Sequence, residues 1–180
     1  MRKRIASWMA VLMIFTLIGG AAHAETTEDT TLEVAATVAS VDGLRVIAPI
    51  PLVTLLPGLN GTYSAPMLVT VNETLANGAN WSLSAVSSEF VGDVSATVLP
   101  ASSLMLGSST VTRTLSGGTI TPNTAGGALD EAKTLYSVSQ TPGVAYSGTH
   151  VSSSPLTLSV PNGTPLDLYE ATVTVTLITG

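Results

Sequence analysis

Few residues of this 180-residue chain are equipped for chemistry. It contains no cysteine and two histidines, and His23 belongs to an apolar N-terminal segment. His150 is left as the one imidazole of the body, between Thr149 and Val151 in a Ser-rich stretch that reads as a loop. A Ser-His-Asp relay needs an oriented imidazole and an exposed nucleophile, and the chain has no Gly-x-Ser-x-Gly turn. The expectation is a solvent-facing loop histidine with no catalytic role. One imidazole without thiolates does not assemble the common zinc geometries, so no metal and no cofactor is expected. The carboxylates offer three close pairs: Asp167 and Glu170 about Tyr169, Asp130 with Glu131, and Glu89 four residues before Asp93. Glycoside hydrolysis needs two carboxyls about 5–9.5 Å apart across a cleft, and the cleft is usually lined with aromatics. Solvated loop acids are the plainer expectation for each pair, which makes a carbohydrate-active enzyme the weakest reading of function. There is no Asp-rich calcium loop and no Gly-rich phosphate cradle.

Trp81 stands out for a different reason. Only Trp8, in the N-terminal segment, accompanies it, and the body has just five other aromatics: Tyr63, Phe90, Tyr136, Tyr146 and Tyr169. Strand alternation places Trp81, Leu83 and Ala85 on one face. Burying an indole removes about 150–250 Å² from water, worth several kcal/mol at about 25 cal/mol/Å². A core anchor is favoured on spacing, with ligand contact by Trp81 and Leu83 as the sharper alternative.

The segments around these residues differ in kind. Arg2, Lys3 and Arg4 precede an uncharged run to Ala24 that closes on Ala22-His23-Ala24. A basic start, a short apolar run and a small-residue site describe a secretory signal peptide over residues 1–24. Its solidly apolar part is shorter than the roughly 20 residues that span a bilayer, so no membrane insertion is expected after cleavage. Beyond it, Arg45, Arg113 and Lys133 face all 12 acidic residues. That balance excludes nucleic-acid binding, which needs a Lys/Arg footprint on phosphate. The absence of cysteine also excludes disulfides, so residues 32–180 are expected to form one domain stabilised by its core alone.

The body is rich in Thr, Ser, Val and Gly and poor in helix formers, with short apolar-alternating runs between Gly, Pro and Asn. This pattern predicts an all-β fold: a single antiparallel β-sandwich, Greek-key-like, with at most one short helix. Residues 25–31 read as a flexible leader and 32–38 as a first strand. Residues 44–59, with Pro49, Pro51 and Pro57, read as edge strand and turn. Residues 67–71 and 80–86, joined through Asn77-Gly78, read as a hairpin. Strands are further expected over 94–99, 110–115 and 141–146. Residues 117–127 read as a loop, and 128–136 as a helical turn, because Leu129, Ala132 and Leu135 fall at helical spacing. Two strands, 156–160 and 169–178, close the chain around Pro161-Asn162-Gly163. In the last, Tyr169, Ala171, Val173, Val175 and Leu177 alternate with Glu170 and three threonines.

A strand Leu68-Val-Thr-Val-Asn72, a Gly-containing turn and then Trp81-Ser82-Leu83 resemble the first motif of the WxL domain of bacterial cell-surface proteins. Val160-Pro-Asn-Gly-Thr-Pro165 followed by Tyr169-Glu-Ala-Thr-Val-Thr-Val-Thr-Leu177 is similar to that family's closing strand. Where its second Trp-x-Leu is expected, this chain has Val175-Thr176-Leu177. The resemblance implies a secreted, cell-wall-associated β-sandwich that attaches non-covalently to peptidoglycan or another cell-wall polymer, with other surface proteins as further partners. The alternative from the residues themselves is a structural subunit of a surface fibre or coat, assembled by strand donation, with residues 32–38 as the donor.

Overall fold

From Tyr169 to Leu177 every second residue is buried, and the same period runs through Met67, Val69 and Val71 and through Trp81, Leu83 and Ala85. Faces of this kind exclude water by turning toward each other, and the result is an all-β sandwich of two packed sheets. The computed structural model describes residues 30–38, 40–41, 43–47, 53–55, 61–115 and 117–179. The expected signal peptide, residues 25–29 of the leader, and Pro49, Pro51 and Pro57 lie outside them.

In chain order the strands are β1 (Thr30–Val38), β2 (Ser40–Val41), β3 (Leu44–Ile47), β4 (Val53–Leu55), β5 (Gly61–Leu75), β6 (Trp81–Ser87), β7 (Phe90–Gly92), β8 (Val98–Leu99), β9 (Leu104–Leu106), β10 (Thr110–Thr114), β11 (Thr119–Pro122), β12 (Gly127–Ala128), β13 (Lys133–Ser139), β14 (Tyr146–Val160) and β15 (Tyr169–Thr179). One sheet runs β11-β13-β6-β15-β1-β4, with β7 also on β15 and β8 on β7. The other runs β12-β9-β14-β5-β3-β2, with β10 also on β14. Neighbours are antiparallel except β1 and β15, which pair in parallel from Leu32↔Tyr169 to Val38↔Val175. The helical content among the described residues is one 3-10 turn, Ala101–Ser103. The buried apolar side chains of both sheets form a single cluster.

Several local expectations give way to tertiary packing. The predicted hairpin is instead an arch, because β5 lies in one sheet and β6 in the other. Each strand has an apolar face to bury, and an arch lets the two faces cover each other, whereas a hairpin leaves them side by side. Gly78 sits at the arch where a Cβ would collide with the Thr141 carbonyl and the Tyr146 ring. The predicted helical turn is also absent. Leu129 opens a turn after β12, Ala132 is exposed, and Leu135 belongs to β13. A register shift between Thr134 and Tyr136 lets the consecutive Leu135 and Tyr136 both face inward.

The Ser-rich stretch is not a loop. β14 pairs with β5 over its whole length, and its inward face carries His150, Ser152 and Ser154 ahead of Leu156 and Leu158. Serines are tolerated there because their hydroxyls are satisfied. Ser152 Oγ donates to the Val69 carbonyl at 3.3 Å, and Ser154 Oγ shares a 2.7 Å hydrogen bond with Ser109 Oγ. Residues 141–145, expected as strand, form the turn before β14, and β11 lies inside the expected 117–127 loop. Of the expected 94–99 strand only Val98 and Leu99 pair, with β7. Within residues 44–59, expected as edge strand and turn, the described β4 is a sheet end, whereas β3 carries the two-residue β2 on its outer side.

Candidate functional site

The arch between β5 and β6 brings four strands together at one end of the core. Alternation carries Glu73 inward on β5, in phase with Met67, Val69 and Val71, and it is 1% exposed. β14 contributes His150, which is 0% exposed. β6 supplies Trp81 and β13 supplies Tyr136, adjacent strands of the facing sheet with Tyr136 opposite Leu83 and Val138 opposite Trp81. Gln140 follows β13 and is buried.

Glu73 is the acceptor around which the others are arranged. Its Oε1 accepts from Trp81 Nε1 at 3.1 Å and from Gln140 Nε2 at 2.5 Å. Its Oε2 lies 3.0 Å from His150 Nε2. Gln140 is fixed in turn by the arch: its Oε1 accepts the Ala79 N–H, and its own N–H donates to Asn80 Oδ1 at 3.0 Å. The rings pack as a trio. Trp81 meets Tyr136 and His150 edge-on at centroid separations of 5.4 and 5.0 Å, while Tyr136 and His150 stack at 6.3 Å. Burial, and secondarily the charge on Glu73, push the Tyr136 phenol well above its ordinary value. It therefore stays a neutral hydroxyl. The Tyr136 hydroxyl and His150 Nδ1 find no hydrogen-bond partner among the described residues.

An imidazole on a carboxylate is half of a catalytic relay, but this pair is sealed within the sandwich. Both side chains are at 0% exposure, and among the described residues the other imidazole nitrogen has no hydrogen-bond partner. The arrangement is suited to hold two sheets in one alignment, since a buried carboxylate requires its donors in place.

His150 is thus corrected from a loop residue in solvent to a core residue of β14. Trp81 and Leu83, the ligand-contact candidates, are 2% and 0% exposed, so both side chains face the core. The motif segments do meet. Leu83 pairs with Leu177 and Ala85 with Val175 on adjacent antiparallel strands. Val175 and Leu177 are buried beside them, whereas Ser82 and Thr176 take the opposite, outer face. The acid pairs are not gathered into a cleft. Glu89, Asp93, Asp130, Glu131 and Glu170 are exposed, and Glu131 pairs with Lys133 at 3.4 Å. Asp167 is committed to a turn: it accepts from the Ser95 hydroxyl at 2.6 Å, from the Ser95 N–H at 2.7 Å and from the Val94 N–H. Those bonds, the Ser95 hydroxyl first, hold its carboxyl down at about 2. Among the described residues no group of three His, Cys, Asp or Glu side chains is placed to hold a metal.

Sequence reasoning missed Glu73, Tyr136 and Gln140. Glu73 had a signal, since it continues the inward series two residues beyond Val71. Gln140 had none, because its partner is 67 residues away.

The fold defines the class of protein here, an all-β sandwich. The chain matches no protein-family model and no curated protein. Among the described residues no helix is long and apolar enough to cross a membrane.

Proposed function

We propose that this chain is a secreted, non-enzymatic β-sandwich of WxL-like type that attaches non-covalently to the cell wall, with peptidoglycan as its ligand. The observation that carries the reading is the pairing of Trp81-Ser82-Leu83 with the end of β15, which makes the two separated motif segments neighbours in one sheet. A signal-peptide-like start and an acidic, cysteine-free body agree with export. Within this reading Trp81 and Leu83 shape the domain, and wall contact falls to the outer surfaces.

Co-sedimentation of residues 25–180 with purified cell walls tests it. Folded protein recovered in the pellet is expected; folded protein left wholly in the supernatant rejects the reading. Trp81→Phe separates packing from contact. The expected result is a lower melting temperature with wall binding unchanged below it.

A further inference from the structure

We infer that Asn162 is a site of spontaneous covalent modification, and that the fold selects it over Asn77. Its side-chain amide is lost to attack by the Gly163 backbone nitrogen, which leaves an aspartyl or isoaspartyl residue in the turn between β14 and β15. The inference does not depend on wall attachment.

An asparagine amide is attacked by the next backbone nitrogen where that nitrogen is unbonded and can swing onto Cγ. Glycine in the next position hinders that swing least. Pro161, Asn162 and Gly163 are all exposed. The Thr164 N–H closes the turn on the Pro161 carbonyl at 3.4 Å, and Gly163 has φ +80°, the pattern of a type II turn. Among the described residues neither the Asn162 amide nor the Gly163 N–H makes a hydrogen bond. A Cβ placed on Gly163 would meet nothing within 4 Å. The peptide between the two residues can therefore rotate into solvent without displacing a neighbour. In the step itself the Gly163 nitrogen bonds to Asn162 Cγ and the Cγ–Nδ2 bond breaks. Nδ2 departs as ammonia, taking the proton of the Gly163 N–H. Water then opens the five-membered imide. Opening at the side-chain carbonyl gives aspartate; opening at the main-chain carbonyl routes the chain through Cβ and Cγ as isoaspartate. The net change consumes one water and releases one ammonia, with nothing oxidised or reduced.

Asn77-Gly78 presents the same two residues in a different setting. Asn77 is exposed, but Gly78 is buried against the Thr141 carbonyl and the Tyr146 ring. The next N–H, that of Ala79, is held by Gln140 Oε1. Rotation of the Asn77–Gly78 peptide therefore requires the arch to open, a local unfolding that the exposed turn at Asn162 does not need. A third such step, Asn60-Gly61, begins outside the described residues.

The test holds the purified protein in mildly alkaline buffer, where backbone amides lose their protons more readily, and digests samples at intervals. Mass spectrometry follows the amide-to-acid mass increase in each peptide, and an isoaspartyl methyltransferase labels the isoaspartate. In the folded chain Asn162 is expected to convert about tenfold faster than Asn77, because only the latter waits on local opening. In denaturant the two rates are expected to converge. Asn162→Gln, whose longer side chain closes a ring far more slowly, is expected to remove the isoaspartyl label from that peptide. Folded protein in which Asn162 converts no faster than Asn77 overturns the proposal, as does a label unchanged in Asn162→Gln. So does a tenfold ratio that survives unfolding, since local sequence and not the fold then sets it.

Discussion

Glu73 gathers hydrogen-bond partners from three separate parts of the chain: Trp81 eight residues away, Gln140 at 67 and His150 at 77. Replacing it by leucine keeps an apolar bulk but strands the Trp81 indole N–H and the Gln140 amide. Each orphaned buried donor costs about 1–3 kcal/mol, so Glu73→Leu is expected to lower unfolding stability by about 2–6 kcal/mol. The measurement is a shift in denaturant midpoint at unchanged slope. Combined with Trp81→Phe, the loss is expected to fall short of the sum of the single changes, because one orphan has been removed with the indole. Asp167 makes a different prediction. Its folded carboxyl is held at about 2, below the ordinary 3.8. Its contribution is therefore complete above the unfolded value and is lost as pH falls through about 2. Asp167→Asn should flatten the fall of stability with pH in that window, read from unfolding midpoints taken at successive pH values. At this scale the sequence was partly readable. The phase of β5 points Glu73 inward, but Gln140 and His150, which help satisfy a carboxylate there, are announced by no local pattern.

Among the elements, β15 was fully legible, because one face of a long strand must be apolar and the other need not be. β14 was legible only in its last third. Its first half hides behind serines whose burial depends on hydroxyl partners in β5 and before β10. Asn77-Gly78 specifies a reversal and not which sheet receives the next strand, so the local chemistry predicts a hairpin where the fold makes an arch. The helical spacing of Leu129, Ala132 and Leu135 is coincidental, since Leu129 opens a turn, Ala132 is exposed and only Leu135 lies on a strand. The pairing of β6 with β15 gives a test of the motif segments. Val175 is 2% exposed and lies opposite Ala85, so this core is packed for a small residue there. Val175→Trp is expected to destabilise the domain by about 1–3 kcal/mol through overpacking. Thermal unfolding checks it; an unchanged or higher melting temperature would mean that the site has room for a second indole.

For the whole molecule, the sandwich class was legible from composition and alternation, whereas the order of strands was not. Strand order depends on pairings across nearly the entire chain, such as β1 with β15. Such pairings make loop closure costly before any contact rewards it. Refolding of residues 25–180 is accordingly expected on the millisecond-to-second scale of all-β domains, followed by stopped-flow fluorescence of Trp81. The parallel seam has one further consequence. Thr30 lies near the Tyr169 end of β15, while Thr179 ends that strand at the far side of the sheet. Tension applied between those two points drags β1 and β15 in opposite directions along their length. The hydrogen bonds between them are then loaded in shear, all together rather than one after another, so β1 and β15 form a mechanical clamp.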